Sequence, residues 1–253
     1  MSSNGLACVT GATSGIGKAI AMELARAGYP LWITGRRENR LRELKEQLES
    51  DHGIKVHFDA VDFRDLEQLQ HVLESRRDLF NDAQVLIQSA GLALGVDPMD
   101  HANFSDWDTM ITVNVRALLL IDRYLIPFLK KQSQADIIHI GSVAGRWVYP
   151  GGGVYCSTKH AVRALTEGLR LDLMGSSVRV MNIEPGMVET EFSEVRLGDR
   201  GAAQQVYKGM KPLVAEDIAE CAVWMLSRPR HVTIQEIVVF PSDQGGVGYI
   251  QRD

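Results

Sequence analysis

Short apolar runs alternate with helical patterns along the whole chain. Runs at Leu6–Thr10, Leu31–Thr34, Val56–Val61, Val85–Ser89, Ile137–Ile140, Val178–Ile183 and Glu236–Phe240 read as strands. Several are continuously apolar, as strands buried on both faces are. Between them, Ile16, Ala19, Ile20 and Leu24 share one helical face, and Leu41, Leu44 and Leu48 share another. Asp106–Leu129 and Val154–Met174 read as long helices. Regular alternation of strand and helix implies right-handed crossovers, which predicts an α/β fold with a doubly wound parallel sheet. No linker, repeat or low-complexity tract interrupts the pattern, so residues 1–253 are expected to form a single domain. Glu191–Lys211 has weak periodicity and three glycines. It follows a strand end, and residues 190–212 are expected to form a mobile lid over a small-molecule substrate.

Composition narrows the classes of function. A net charge of −5 argues against nucleic acid as a partner. The chain starts polar, with no charged segment followed by an apolar one, so no secretory signal is expected. The most apolar stretch, Ala117–Leu129, is broken by Asp122, Arg123 and Pro127, so no membrane span is expected. Cys8, Cys156 and Cys221 form no CxxC pair and no metal-ligand cluster, so no metal is expected. Reduced thiols fit a cytoplasmic location.

The first strand-turn-helix carries the first piece of chemistry. Thr10-Gly11-Ala12-Thr13-Ser14-Gly15-Ile16-Gly17 joins the first strand to the first helix. Gly11 permits the tight turn, Gly15 lets the backbone approach a pyrophosphate, and Gly17 allows close helix–strand packing. The N–H groups around Thr13, Ser14 and Ile16 would then face the phosphates from a positive dipole end. This is a Rossmann-type arrangement. At the tip of the second strand, a carboxylate would hold the ribose hydroxyls of NAD. Here the tip reads Gly35-Arg36-Arg37, and two guanidinium groups match a 2′-phosphate, so the expected cofactor is NADP(H). Asp62 and Phe63, at the end of the third strand, are candidates for contact with the adenine, although Asp62 also reads as a turn residue.

Tyr155 and Lys159 lie four apart on one helical face and follow Gly141-Ser142 at the end of the fifth strand. A second Tyr-x-x-x-Lys, Tyr207 and Lys211, has Gly209 inside it and Pro212 after it, which argues against a stable helix there. Reducing a carbonyl needs hydride at carbon and a proton at oxygen. A phenol can supply the proton if a neighbouring ammonium lowers its pKa, and Lys159 is expected to lower that of Tyr155. Ser142 is expected to hold the substrate oxygen.

Thr10–Gly17, Ser142, Tyr155-Cys156-Ser157-Thr158-Lys159 and Pro185-Gly186 together resemble the short-chain dehydrogenase/reductase family over nearly the whole chain. That resemblance implies that Tyr155 is the general acid/base, that Ser142 positions substrate and that Lys159 also binds the nicotinamide ribose. It adds Asn114 as a fourth catalytic member, holding a water that leads to Lys159. It places Pro185, Gly186, Val188 and Thr190 around the nicotinamide, and Ala90 and Gly91 at the adenosine ribose. The family's usual Asn-Asn-Ala-Gly is here Gln88-Ser89-Ala90-Gly91, which implies altered polar support for the fourth strand. Ala90–Gly95, Trp147–Gly152 and Ile183–Gly186 are similar to NADP-dependent 3-hydroxy acid (serine) dehydrogenases and sulfoacetaldehyde reductases, which handle small anionic substrates.

The resulting expectation is an NADP-dependent oxidoreductase of a small anionic hydroxy compound, such as serine, 3-hydroxyisobutyrate or isethionate. A broad carbonyl or 3-oxoacyl reductase is the alternative. An NADP-binding sensor without catalysis is the reading from another class, and it would be expected to lack Tyr155 or Lys159. A small anion needs a cation to fix it. Arg146, four residues past Ser142, is the first candidate, with Tyr149 and Arg196 beside it and Arg252 reaching from a neighbouring copy. The run Ala117–Ile121 with Tyr124 and Leu125 offers more apolar surface than one sheet face can cover, and with the resemblance it implies a homotetramer.

Overall fold

In the computed structural model, which describes residues 4–253, seven parallel strands form one sheet in the order β3-β2-β1-β4-β5-β6-β7. They are β1 (Leu6–Thr10), β2 (Leu31–Gly35), β3 (Val56–Ala60), β4 (Ala83–Gln88), β5 (Ala135–Ile140), β6 (Val178–Pro185) and β7 (Glu236–Val239). The central strands are buried residue by residue because helices cover both faces, which is why their sequences do not alternate. One face holds α1 (Gly15–Arg26), α2 (Glu38–His52) and α9 (Ala215–Leu226), around Ile20, Leu24, Ile33, Leu41 and Met181. The other holds α3 (Leu66–Ser75), α4 (Phe104–Ile111), α5 (Ala117–Leu129) and α6 (Gly153–Asp172), around Trp32, Phe80, Leu86, Leu125 and Phe128. The chain changes direction across the sheet between β1 and β4. A doubly wound sheet opens its ligand crevice at such a switch point, beyond the carboxyl ends of the strands.

Three expectations are modified. The long helix from Asp106 to Leu129 is continuous only through a π-helical turn at Thr112–Arg116, so α4 and α5 are separate segments. The apolar run of α5 is largely covered within the chain. Ala117, Leu118, Ile121 and Leu125 are buried, Leu120 and Tyr124 pack against the core, and Leu119 alone of that run is well exposed. The run therefore does not supply the surplus apolar surface that the sequence pattern implied. Finally, Gln88 keeps polar support under β4. Its amide donates to the Leu118 carbonyl (3.0 Å) and to Asp122 (3.1 Å), and Asp122 also meets buried His139. The longer side chain reaches across to α5, so the altered motif remains satisfied.

A short antiparallel hairpin near the C-terminus, β8 (Gln244–Gly246) with β9 (Tyr249–Ile250), was not legible in the pattern, because Gly245-Gly246-Val247-Gly248 has no alternation. Glu191–Lys211 contains two short helices, α7 (Phe192–Leu197) and α8 (Arg200–Val206). Each buries a single residue, Ser193 and Ala203.

Candidate active site

A cavity of about 580 Å³ opens over the carboxyl ends of β1, β2, β4, β5 and β6. Its floor is the glycine turn. Gly11 has φ +71 and Gly15 φ +52, conformations that L side chains rarely adopt. A Cβ at Gly17 would lie 2.5 Å from the Gly11 carbonyl oxygen, so α1 meets the turn at a distance only glycine allows. The N-cap residue Ser14 makes no side-chain cap bond, which leaves the N–H groups of the first turn of α1 free for an anion. Thr13, Ser14, Gly15, Ile16 and Gly17 all line the cavity. Thr10 holds the floor in place, because its hydroxyl accepts from the N–H of Ser89 (3.0 Å) and of Ala90 (3.1 Å). The Ala90 backbone crosses so closely that a Cβ at Gly11 would lie 2.9 Å from it. The cradle thus has the shape and donor set of a dinucleotide site.

Arg36 and Arg37 both line the cavity at the tip of β2. Arg37 donates to the hydroxyls of Thr13 (3.0 Å) and Ser14 (2.8 Å) and pairs with Glu191 (2.6 Å), which also pairs with Arg40 (2.6 Å). Arg36 makes no hydrogen bond or ion pair among the described residues, so its guanidinium is available to a ligand. Asp62 and Phe63 border the same end, and Asp62 is held by Arg64 (2.9 Å). The guanidinium of Arg64 keeps the Asp62 carboxyl below the usual range despite partial burial.

The reacting end lies over β5 and α6. Ser142 caps a 3-10 turn at Val143–Gly145, where its hydroxyl accepts from the Ala144 N–H (3.1 Å). Tyr155 and Lys159 share the buried face of α6 and line the cavity together with Ser142. The Lys159 ammonium donates to the Ile140 carbonyl (2.9 Å) and lies 6.0 Å from the Tyr155 ring centroid. Burial lowers the Lys159 pKa to about 8, with Glu184 opposing the drop. Burial also raises that of Tyr155, opposed by Ser142 and by Arg196. This direction is opposite to the lowering expected from Lys159. Loss of water around Tyr155 outweighs the neighbouring dipoles and charges, and the phenol holds its proton.

Asn114 lies in the π-helical turn, which aims its amide inward. Its oxygen accepts from the Leu92 N–H (2.9 Å), and its nitrogen donates to the Leu92 carbonyl (2.8 Å) and to Thr158 (3.1 Å). A Cβ at Gly91 would lie 3.4 Å from Asn114 Oδ1 and 3.6 Å from Lys159 Nζ, so the two side chains converge beneath Gly91. Ala90, Gly91, Pro185, Gly186, Val188 and Thr190 complete the wall between the two ends. The second Tyr-x-x-x-Lys is not helical as a pair. Tyr207 caps α8 and its hydroxyl donates to the Val188 carbonyl (2.8 Å), while Lys211 lies in the following loop.

The substrate cations are redistributed. Arg146 does not reach the cavity. Its guanidinium is instead clamped by Glu184 of β6 and Glu236 of β7, the carboxylates that Arg163 of α6 also meets. Arg252 also turns back onto its own chain, donating to the Val206 carbonyl (2.9 Å). Arg196, from α7, does line the cavity. It donates to the Tyr149 hydroxyl (2.9 Å), and its guanidinium carbon lies 5.8 Å from the Tyr155 ring centroid. The sequence reading missed Glu191, Phe192 and the hairpin residues Val247 and Ile250, all of which line the cavity. Arg40, three residues after Arg37 on one helix face, was a readable signal for the Glu191 pair. The hairpin offered none. Among the described residues, no three His, Cys, Asp or Glu side chains gather to hold a metal, and no helix is long and apolar enough to cross a membrane.

A family model of short chain dehydrogenases matches residues 5–200. The chain is 43% identical over 246 residues to an NADP-dependent 3-hydroxy acid dehydrogenase of Schizosaccharomyces pombe, covering 96% of this chain and 95% of that one. It is 40% identical to sulfoacetaldehyde reductase 2 of Chromohalobacter salexigens, covering 97% and 98%. A solved structure of serine dehydrogenase, in its closed form with NADP+, superposes with a TM-score of 0.88 at 39% identity, covering 95% of this chain and 96% of that one.

Proposed function

The chain belongs to the short-chain dehydrogenase family, and from that premise we propose that it interconverts a small anionic hydroxy compound and its carbonyl using NADP(H). When bound, the cofactor supplies or receives hydride. Everything else falls to residues of this chain. The glycine turn and the free N–H groups of α1 receive the pyrophosphate, and Arg36 with Arg37 receives the 2′-phosphate. Ser142 fixes the substrate oxygen. Tyr155, which holds its proton because it is buried, gives that proton to the developing alkoxide. Lys159 places a positive charge beneath the site, and Asn114 braces the helix that carries it. The relatives' names support hydroxy acids and sulfoacetaldehyde as the substrate class.

The single observation that carries the anionic reading is Arg196. It brings the cavity's substrate-side cation to Tyr149 and over the Tyr155 ring. An acid group held by that guanidinium directs the adjoining carbonyl toward Ser142 and Tyr155. Residues 190–212 act as the lid, with α7 lowering Arg196 onto the substrate. The apolar wall of Val195, Val247 and Ile250 favours a second reading, a broader reductase of neutral carbonyls. A tetramer would use the exposed apolar side chains Trp147, Val148, Leu171, Met174 and Val238, and a monomeric mass by light scattering would refute it.

The test is a panel of serine, 3-hydroxyisobutyrate, isethionate and neutral alcohols of similar size, with NADP+ and with NAD+. Arg196→Ala should raise KM for the anionic substrates at least tenfold, or ~1.4 kcal/mol, and leave neutral ones little changed. Equal losses on both classes would reject the anionic reading and favour the broader reductase. No turnover of any substrate would favour an NADP-binding sensor.

A further inference from the structure

Between β6, β7 and α6, outside the cavity lining, lies a charged cluster that the chemistry above does not use. Glu184 on β6 is completely buried. Its carboxylate is met by the Arg146 guanidinium, by the Asn182 amide (2.9 Å) and, at 3.7 Å, by Arg163 of α6. Arg146 and Arg163 also pair with Glu236 of β7, the latter at 3.0 Å. Glu184 further touches the strand that carries the catalytic serine. A Cβ at Gly141 would lie 3.2 Å from Glu184 Cγ and 2.7 Å from Asn182 Oδ1. Gly141 follows Ile140, whose carbonyl receives the Lys159 ammonium. A single peptide unit therefore separates the lysine's hydrogen bond from the Glu184 side chain.

We propose that Glu184 is a positioning residue for the reaction, holding the Lys159 ammonium charged from β6, with Arg146 and Arg163 setting the strength of that hold. The two carboxylates and two guanidiniums sum to zero, but they are not equally screened. The Glu184 side chain is 0% exposed, whereas those of Arg146 and Arg163 are 24% and 40% exposed. Water weakens the arginines' fields more than that of the carboxylate, so the interior beneath Lys159 is left net negative. The Asn182 carbonyl oxygen adds to this, being buried without a hydrogen-bond partner among the described residues and directed at Gly141. The other titratable groups facing the lysine end are Tyr155 on the same helix and Arg196, which lies over the phenol ring. Burial pulls the lysine toward its neutral form, and Glu184 is the charge that pushes back. Removing that carboxylate lowers the lysine pKa, so the charged form is lost at lower pH. Removing a guanidinium that screens the carboxylate does the reverse.

The experiment compares wild type, Glu184→Gln, Glu184→Asp and Arg163→Gln. One readout is kcat/KM against pH with NADPH and any aldehyde the wild type reduces. The other is NMR titration of ε-carbon-13-labelled lysine in the cofactor-free chain, with the Lys159 signal assigned by its loss in Lys159→Met. The NMR arm is independent of substrate, so a wrong substrate class cannot imitate failure. Glu184→Gln should move both midpoints down by about one pH unit, Glu184→Asp should restore them largely, and Arg163→Gln should move them up by a smaller step. A uniform fall in activity with unmoved midpoints would show that Glu184 only braces the sheet and would overturn the proposal. If Glu184→Gln does not fold, folded Arg163→Gln decides, and an unmoved Lys159 midpoint there overturns it equally.

Discussion

The floor and the roof of the cavity are built in opposite ways. The floor comes from β1, the glycine turn and α1, which are adjacent in sequence and held by backbone contacts as close as 2.5 Å from a would-be Cβ. The roof comes from α7, α8 and the β8–β9 hairpin, which are brought together across the fold by side chains and by a few backbone bonds such as Gly95 N–H to the Arg196 carbonyl (2.9 Å). The two lid helices bury one residue each, while α1 buries six. A floor recognised through backbone N–H groups suits a constant ligand, the dinucleotide. A roof built from side chains can change with the substrate while the floor stays as it is.

The sharpest way to separate floor from roof is at their meeting point. Tyr155→Phe removes the proton donor and leaves the floor intact. Turnover should fall by about a hundred- to ten-thousand-fold while NADPH binding, followed by fluorescence titration, persists. Parallel loss of binding would mean the phenol holds the cofactor. Next in size is the floor's charge reader. Arg36→Asp with Arg37→Ala should weaken NADP(H) by about 2–4 kcal/mol, with NAD(H) much less affected. Equal weakening in calorimetry would show that the arginines act through Glu191 and the lid.

A smaller contrast compares two glycines directly. Gly17→Ala drives a Cβ into the Gly11 carbonyl, backbone against backbone, and should lower both thermal stability and cofactor affinity. Gly198→Ala, between α7 and α8, meets nothing within 4 Å and carries only the strain of φ +66, so it should cost about 1 kcal/mol of local stability. Similar melting temperatures for the two variants would contradict the division into stiff floor and lightly held roof. The gentlest probe is pH. The lysine pKa is lowered from 10.5 to about 8, so its charge is present below that value and lost above it. Above pH ~8, kcat/KM should decline by up to tenfold per unit, while stability rises between pH ~8 and the unfolded-chain value of 10.5 as a buried charge is relieved. A flat profile up to pH 10 would show that the charge is not needed.

How much of this was readable follows the same division. All seven sheet strands appeared as apolar runs within about two residues of their ends. The glycine turn, the Tyr155–Lys159 face and the second-strand arginines are local patterns, each spanning one turn or one helix face, so spacing along the chain was enough. The hairpin escaped because glycine-rich sequence carries no alternation, and the π-helical turn because its side chains look helical.

Arg146 and Arg196 show the limit best. In sequence, Arg146 had the stronger case, four residues from Ser142, and Arg196 lay in a segment with little pattern. Folded, Arg146 leaves the 3-10 turn to pair with Glu184 and Glu236 outside the cavity, and α7 brings Arg196 to Tyr149 and Tyr155. The sequence by itself determined the sheet, the shape of the cofactor cradle and the pairing of Tyr155 with Lys159 on one helix face, because each depends on neighbours a few residues apart. Only the tertiary structure decided which arginine lines the cavity and which carboxylate comes nearest the strand that receives the lysine. Those depend on pairings between residues far apart in the chain, 38 residues for Arg146 with Glu184 and 47 for Arg196 with Tyr149.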